Sequence, residues 1–121
     1  MQTFLPYPNF RDSLESLDSK RLGKQRVESF QILKTLLGYS DGWKHHPVVK
    51  MWRHYEAALA QYYNLSLVIW AARGYKNIVL QPATITGTIV YPPFIGDEQF
   101  HASHRSRLLR KDPEFYGKYQ W

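Results

Sequence analysis

The sequence predicts an all-α fold: a single compact domain over residues 1–121, built from three main helices with long loops and an extended N-terminal segment. Three observations lead there. From Leu17 to Leu37 the apolar residues Leu22, Phe30, Leu33, Leu36 and Leu37 gather on one side at helical spacing. After Pro47 a second apolar stripe runs through Val48, Trp52, Tyr55, Leu59, Tyr62, Ile69 and Trp70. A third helix is bounded by Asp97, a capping residue followed by Glu98 in the first turn, and by Asp112-Pro113, which stops it.

Taken in order, residues 1–12 hold Pro6 and Pro8 around Tyr7 and read as an extended segment lying on the helices. Chain ends fray unless tied down, and Phe4, Leu5, Tyr7 and Phe10 offer enough apolar surface to do so. The terminal amine is then held in a definite place. The first helix starts at Ser13 or Asp18 and ends at Leu37, with Gly38 as its C′ residue. Tyr39 to His46 is a polar connector. Pro47 suits the first turn of a second helix, which reads as continuous to Arg73, roughly 40 Å long at the helical rise, with Gly74 ending it. Its aromatic residues read as core. Tyr75 to Gly96 contains a β-branched run, TITGTIVY, but an isolated strand pair is marginal, so this stretch reads as an irregular loop across the bundle. EFYGKYQW closes the chain as a tail.

Sixteen Lys and Arg against ten Asp and Glu give a formal charge of +6, which favours a polyanionic partner. Aromatic residues make up 16% of the chain and several stand beside basic ones, as in Phe115-Tyr116-Gly117-Lys118-Tyr119, a combination suited to holding an unstacked base. The absence of cysteine removes disulfides, thiolate nucleophiles and thiolate metal sites together. No basic and apolar leader opens the chain, and its longest apolar run, Leu65 to Ala72, is far short of the ~20 residues that span a bilayer. The expectation is a soluble cytoplasmic monomer with no membrane partner.

Glu28 is the residue that stands out. It is a lone carboxylate on the polar face of the first helix, with Lys24 one turn before it, Arg21 two turns before, and Lys20, Gln31 and Thr35 on the same face. Either this is a solvated surface of weak ion pairs or it is an acid/base group set in a phosphate-binding surface. Arg26 projects into the apolar face and must find a partner or pass out at the edge of the core, since an unpaired buried charge costs several kcal/mol. The third helix carries His101, His104, Arg105, Arg107, Arg110 and Lys111. Its Arg105, Arg107, Arg110 and Lys111 could form one basic groove for nucleic acid with Lys20, Arg21, Lys24 and Lys118, or the two sets could be separate solvated faces. His101 and His104 lie at i,i+3 with Asp97 a turn away, but zinc takes three or four convergent ligands and no further set presents itself, so no metal is expected.

The segments MQTFLPYP, RLGKQRVE, HPVVKMWRHYE, PPFIGDEQFHASHRS and LLRKDPEFYG cover most of the chain. In them it resembles the pyrimidine-dimer DNA glycosylase (endonuclease V-like) family, and its short bacterial members above all. The resemblance implies a compact helical repair enzyme that binds double-stranded DNA carrying a base lesion and works without cofactor or metal. It implies that the N-terminal amine attacks C1′ of the damaged nucleoside and forms a Schiff base, after which β-elimination nicks the strand. The family's catalytic glutamate falls on Glu28, and its DNA-contacting aromatic tail on Phe115, Tyr116, Lys118, Tyr119 and Trp121. DNA contacts are likewise expected from Lys20, Arg21, Lys24, Arg26, Gln31, His101, His104, Arg105, Arg107 and Lys111.

An N-terminal nucleophile also has a plain chemical reason. An α-amine has a pKa of about 7.7–8.0 against about 10.4 for lysine, so roughly a tenth is free base at neutral pH, and imine formation needs that form. Where the family carries a small second residue and loses its initiator Met, Gln2 stands here, which keeps Met1 as the amine unless trimming exposes Thr3. Val27 and Gln31 stand where the family pattern has arginines around its glutamate, with Arg26 displaced by one. Two rival readings follow: a binding module without catalysis, and a glycosylase of the same build for another modified base.

Overall fold

In a computed structural model that describes residues 1–121, the chain folds into six α-helices and a closing 3₁₀ turn, with no strand. They are α1 (Phe10–Glu15), α2 (Ser19–Leu36), α3 (Pro47–Trp52), α4 (Glu56–Ala72), α5 (Glu98–Lys111) and α6 (Pro113–Tyr116), the turn covering Gly117–Tyr119. None of the helices is long and apolar enough to cross a membrane.

Local chemistry sets most of the boundaries. The Asn9 side chain accepts from the Asp12 N–H to start α1, Asp18 accepts from Arg21 to start α2, and Asp97 accepts from Gln99 and Phe100 to start α5. Of the two starts read for the first helix, Asp18 is the cap of the long one, and Ser13 belongs to the short α1. The Ser13 hydroxyl bonds both the N–H and the carbonyl of Tyr7, which folds the N-terminal segment back over α1. Gly38 and Gly74 follow α2 and α4 with φ of +86° and +90°, the left-handed conformation that ends a helix at low cost.

The single helix expected over Pro47 to Arg73 is two helices. His54 sits at φ +75°, and its N–H is taken by the Glu56 carboxylate while Tyr55 N–H bonds the Trp52 carbonyl. The redirected chain lets Phe10 pack edge-on against both Trp52, at 6.1 Å, and Tyr62, at 5.6 Å. Packing of these three buried rings outweighs the strain of one non-glycine residue at positive φ.

The core is built on α2 against α4, and α1 closes one end of α4. At Gly23 the α2 backbone lies directly against Trp70 of α4, since a Cβ there would stand 3.1 Å from the Trp70 ring. Arg26 is half-buried beside it: its guanidinium lies 4.9 Å from the Trp70 ring centre and donates to the Asn77 side chain, while its Nε is buried without a partner. Residues 75–96 form an irregular loop across the bundle, tied by Tyr63 to the Gln81 carbonyl and by the Asn64 amide to both the N–H and the carbonyl of Ala83.

The tail is not a loose extension. Tyr116 is fully buried, and its hydroxyl bonds the Asp18 cap of α2. Tyr119 donates to the Ser16 carbonyl, and the Trp121 indole donates to the Tyr7 hydroxyl. Burial raises the Asp18 pKa, but hydrogen bonds from Tyr116 and Arg21 outweigh it and hold the carboxyl below its usual range.

Candidate active site at the chain terminus

Residues 1–7 have no secondary structure, so their backbone groups need other partners. Side chains of α2, α4 and α5 supply them. From α2, Gln25 accepts from the Phe4 N–H at 2.7 Å through Oε1 and donates to the Gln2 carbonyl at 2.9 Å through Nε2. From α4, the Tyr62 hydroxyl lies 2.9 Å from the Phe4 carbonyl and 2.6 Å from Gln25 Oε1. Burial pushes the Tyr62 pKa well above the usual tyrosine range, with the Glu28 charge adding to it, so this hydroxyl stays a donor.

From α5, two buried histidines hold the peptide groups of Leu5. His104 Nδ1 accepts from the Leu5 N–H at 2.9 Å, and His101 Nδ1 stands 2.8 Å from the Leu5 carbonyl, to which it donates. His101 Nε2 accepts from the Gly96 N–H. Burial lowers the His104 pKa to about 4, with the charges of Arg107 and His101 acting in the same direction, so its ring is a neutral acceptor at physiological pH. Arg105 donates to the Pro6 carbonyl, Arg107 to the Gln2 side chain, and the buried Thr3 hydroxyl accepts from the Trp52 indole.

These contacts set the position of residue 1. The Met1 amine lies 4.0 Å from Glu28 Oε1, and Gln25 Nε2 lies 3.5 Å from Glu28 Oε2. Around the pair is a cleft of about 190 Å³, lined by Lys20, Arg21 and Lys24 of α2 and by Lys111 from the end of α5. A primary amine, a carboxylate able to move protons and a cationic rim thus share one opening. That set can bind an anionic group and present a primary amine and a carboxylate to it.

The residues singled out in the sequence divide here. Met1, Glu28, Lys20, Arg21, Lys24 and Lys111 meet in the cleft, and Arg107 reaches its edge through Gln2. The basic residues of the first and third helices therefore converge at one end only, because the N-terminal segment runs between α2 and α5. Arg105 is turned the other way, toward Pro6 and Glu98. His101, His104 and Tyr116, read as DNA contacts, are buried, and of the three only His104 lines a cavity, the one that also borders Met1 and Gln2. Arg26 is committed to Trp70 and Asn77. Gln31 is exposed on α2 outside the cleft lining, while Lys118, Tyr119 and Trp121 belong to the tail, where Lys118 stands 3.9 Å from the Phe115 ring centre and Tyr119 and Trp121 stack on each other.

Gln25 was not singled out from the sequence, although it makes two hydrogen bonds to the terminal segment, to the Phe4 N–H and the Gln2 carbonyl, and also meets Glu28 and Tyr62. Its signal was there to be read. It lies three residues after Leu22 and four before Ser29, on the buried stripe of α2, where an amide needs partners for both ends.

A family model described as pyrimidine dimer DNA glycosylase matches residues 1–80, a span that takes in the terminal segment, Glu28, Gln25 and Tyr62 and stops before α5. Among characterised proteins and among solved structures there is no match.

Proposed function

The chain belongs to the pyrimidine dimer DNA glycosylase family, and from that premise we propose that it excises a damaged pyrimidine of the cyclobutane-dimer type from double-stranded DNA and then nicks the strand as an abasic-site lyase. The observation that carries this reading is the Met1 amine held 4.0 Å from Glu28 inside a cationic cleft. The free amine attacks C1′, the N–C1′ bond forms, and the glycosidic bond breaks with its electron pair leaving on the base. Opening of the sugar ring at O4′ gives the protonated imine. Glu28 takes the proton that the amine sheds and returns it to the departing oxygen. Loss of a C2′ proton then expels the 3′ phosphate by β-elimination. Lys20, Lys24 and Lys111 hold the flanking phosphates. No cofactor or metal is called for in these steps, and the enzyme acts as a cytoplasmic monomer.

A binding module without catalysis would need the basic rim but not a terminus pinned beside a carboxylate, so the geometry favours the enzyme. Borohydride trapping on a duplex with an abasic site and on one with a thymine dimer tests it, with intact mass of the same preparation. The expected result is an adduct on the N-terminal residue. DNA binding with no adduct on either duplex would move the assignment to the binding module or to a glycosylase that activates water.

A further inference from the structure

Ile78 and Val79 are the most exposed large apolar side chains in the protein, at 80% and 83%. Water alone gives no reason to hold them still, yet the turn that carries them, residues 75–80, is clamped at four points. Tyr75 stacks on the Trp70 ring with centres 4.3 Å apart, and the Trp70 indole donates to the Lys76 carbonyl at 3.0 Å. The Asn77 side chain donates to the Leu80 carbonyl at 2.6 Å and accepts from Arg26 of α2. Arg26 leaves its Nε buried without a partner in doing so. Burying part of a guanidinium is costly, and what it fixes here is a pair of side chains facing solvent.

The faces of α2 place this turn relative to the amine. Lys20, Lys24, Val27, Gln31 and Lys34 recur every three or four residues and are all exposed, so they form one stripe along the outer face of the helix. Glu28 opens into the cleft on one side of the stripe. Gly23 and Arg26 face Trp70 and the 75–80 turn on the other. The turn and the amine therefore flank a single helix, roughly 10–12 Å wide with its side chains, or about three base-pair steps of 3.4 Å. The stripe carries lysines and no acid, the turn adds the exposed Lys76, and residues 57–96 contain no Asp or Glu. A duplex laid along the stripe meets cations up to the turn. A protein partner fits less well, because an interface takes roughly 20–30 residues a side and this is a point of two.

Resting on the amine and Glu28 reading above, we propose that the 75–80 turn is a wedge, whose Ile78 and Val79 enter the duplex within about three base pairs of the nucleotide at the amine and open a base step there. Branched apolar side chains suit the task, because they replace the stacking partner of a base and carry no polar group to be desolvated. Stiffness suits it too. Parting a base step costs on the order of a few kcal/mol, and a loose loop would yield first, whereas the tie through Asn77 passes the load to Arg26 and α2. Arg26 is then a positioning residue for the wedge, which accounts for its place beside Trp70 in an otherwise apolar face.

The test separates binding from chemistry by using Glu28→Gln protein and duplexes with one abasic site and a 2-aminopurine placed about two to four pairs from it. Binding is expected to raise the 2-aminopurine fluorescence as the probe unstacks. Ile78→Ser with Val79→Ser, both at exposed positions, abolishes that rise and leaves melting unchanged, and Ile78→Leu with Val79→Leu restores it. Asn77→Ala, which cuts the tie to Arg26, lowers the rise with both wedge residues still present. No rise at any probe position before these substitutions are added overturns the proposal, and so does a rise that the serine pair leaves intact. A serine pair that spares the rise but abolishes sedimentation with phosphatidylserine vesicles would make the turn a membrane contact instead. Failure of the amine reading shows separately, as no borohydride adduct of unsubstituted protein on the abasic duplex, whereas failure of the wedge leaves that adduct in place.

Discussion

The two ends of this chain are both short, largely without long helices, and packed side by side on α1 and α2, yet they are held by different forces. The first seven residues are fixed by directional hydrogen bonds from Gln25, Tyr62, His101, His104, Arg105 and Ser13 to named backbone atoms. The last residues are fixed by rings: Trp121 stacks on Tyr116 and Tyr119, with centres 5.5 Å and 4.9 Å apart, and meets Tyr7 edge-on at 5.9 Å, and the hydrogen bonds of these rings to Asp18, Ser16 and Tyr7 hold side-chain tips and no backbone atom of the tail. Ring packing stabilises but tolerates small slides, whereas a set of hydrogen bonds fixes the register of the chain. A reacting atom has to be placed to a fraction of an ångström, and only the first kind of end provides that. One terminus is therefore read as the site and the other as a brace.

Breaking the chemistry at the first end should have the largest effect. Glu28→Gln keeps the size of the side chain and removes its proton-accepting power. Base excision is expected to fall by about 10²–10⁴-fold, the usual worth of a general acid–base group, with thermal stability and DNA affinity retained. Single-turnover excision alongside a melting curve measures both, and an unchanged rate would remove Glu28 from the mechanism.

Breaking the second end should instead cost stability. Truncation after Pro113 deletes the buried Tyr116 and the rings stacked on it. A loss of about 3–5 kcal/mol is expected from emptying one large aromatic site. This reverses what a DNA-contacting tail would show, namely weaker DNA binding with little change in melting. Denaturant unfolding and DNA affinity of the truncated protein, compared at a temperature where it is folded, decide which description of the tail holds.

Acid separates the two ends without any mutation. His104 accepts from Leu5 only while neutral, and its folded pKa of about 4 lies below the ordinary 6.5. A depressed folded pKa means that the unfolded chain binds the proton more readily. The stabilisation is therefore complete above pH 6.5 and is lost as the pH falls toward 4, by about 3 kcal/mol in all. The protection factor for hydrogen exchange at Leu5, measured against the intrinsic rate at each pH, should fall across that window while that of the tail is kept. In His104→Gln the dependence should flatten, and a slope that persists would place the titrating group elsewhere.

How much of this could be read from the sequence follows the same division. The helical class, the Asp18 and Asp97 caps, the loop over residues 75–96 and the tethered terminal segment were legible because they depend on periodicity and on local capping chemistry. The break at His54 was not, since nothing in WRHYE marks it and it is decided by how Trp52 and Tyr62 close on Phe10. The roles of His101 and His104 were hidden for a related reason. A histidine among arginines on a basic helix looks like a surface group, and only the path of residues 1–7 shows that its partner is a peptide ninety-odd positions earlier. Glu28 and its cations were legible on one helix face. Gln25, which orients what they act on, was buried in the apolar stripe.

Gln25→Leu keeps the bulk and removes both ends of the amide, leaving the buried Phe4 N–H and the half-buried Gln2 carbonyl without their protein partner. A stability loss of about 1–3 kcal/mol is expected, with a fall in excision larger than that loss explains, because the amine is no longer aimed at Glu28. Trapping yield on an abasic duplex, at a temperature where the variant is folded, reads the misplacement directly.

The smallest effect belongs to the rim. Lys24 is exposed and lines the cleft without an ion-pair partner, so its charge acts at the DNA surface and not in the fold. Lys24→Ala should leave melting unchanged and reduce the slope of log affinity against log salt by about 0.9 for one lost phosphate contact. Lys118, 3.9 Å from the Phe115 ring centre in the tail, is the control from the other end. If the tail is only a brace, Lys118→Ala moves the salt slope less than Lys24→Ala does. Equal slopes for the two would make both ends part of the DNA surface and erase the distinction between them.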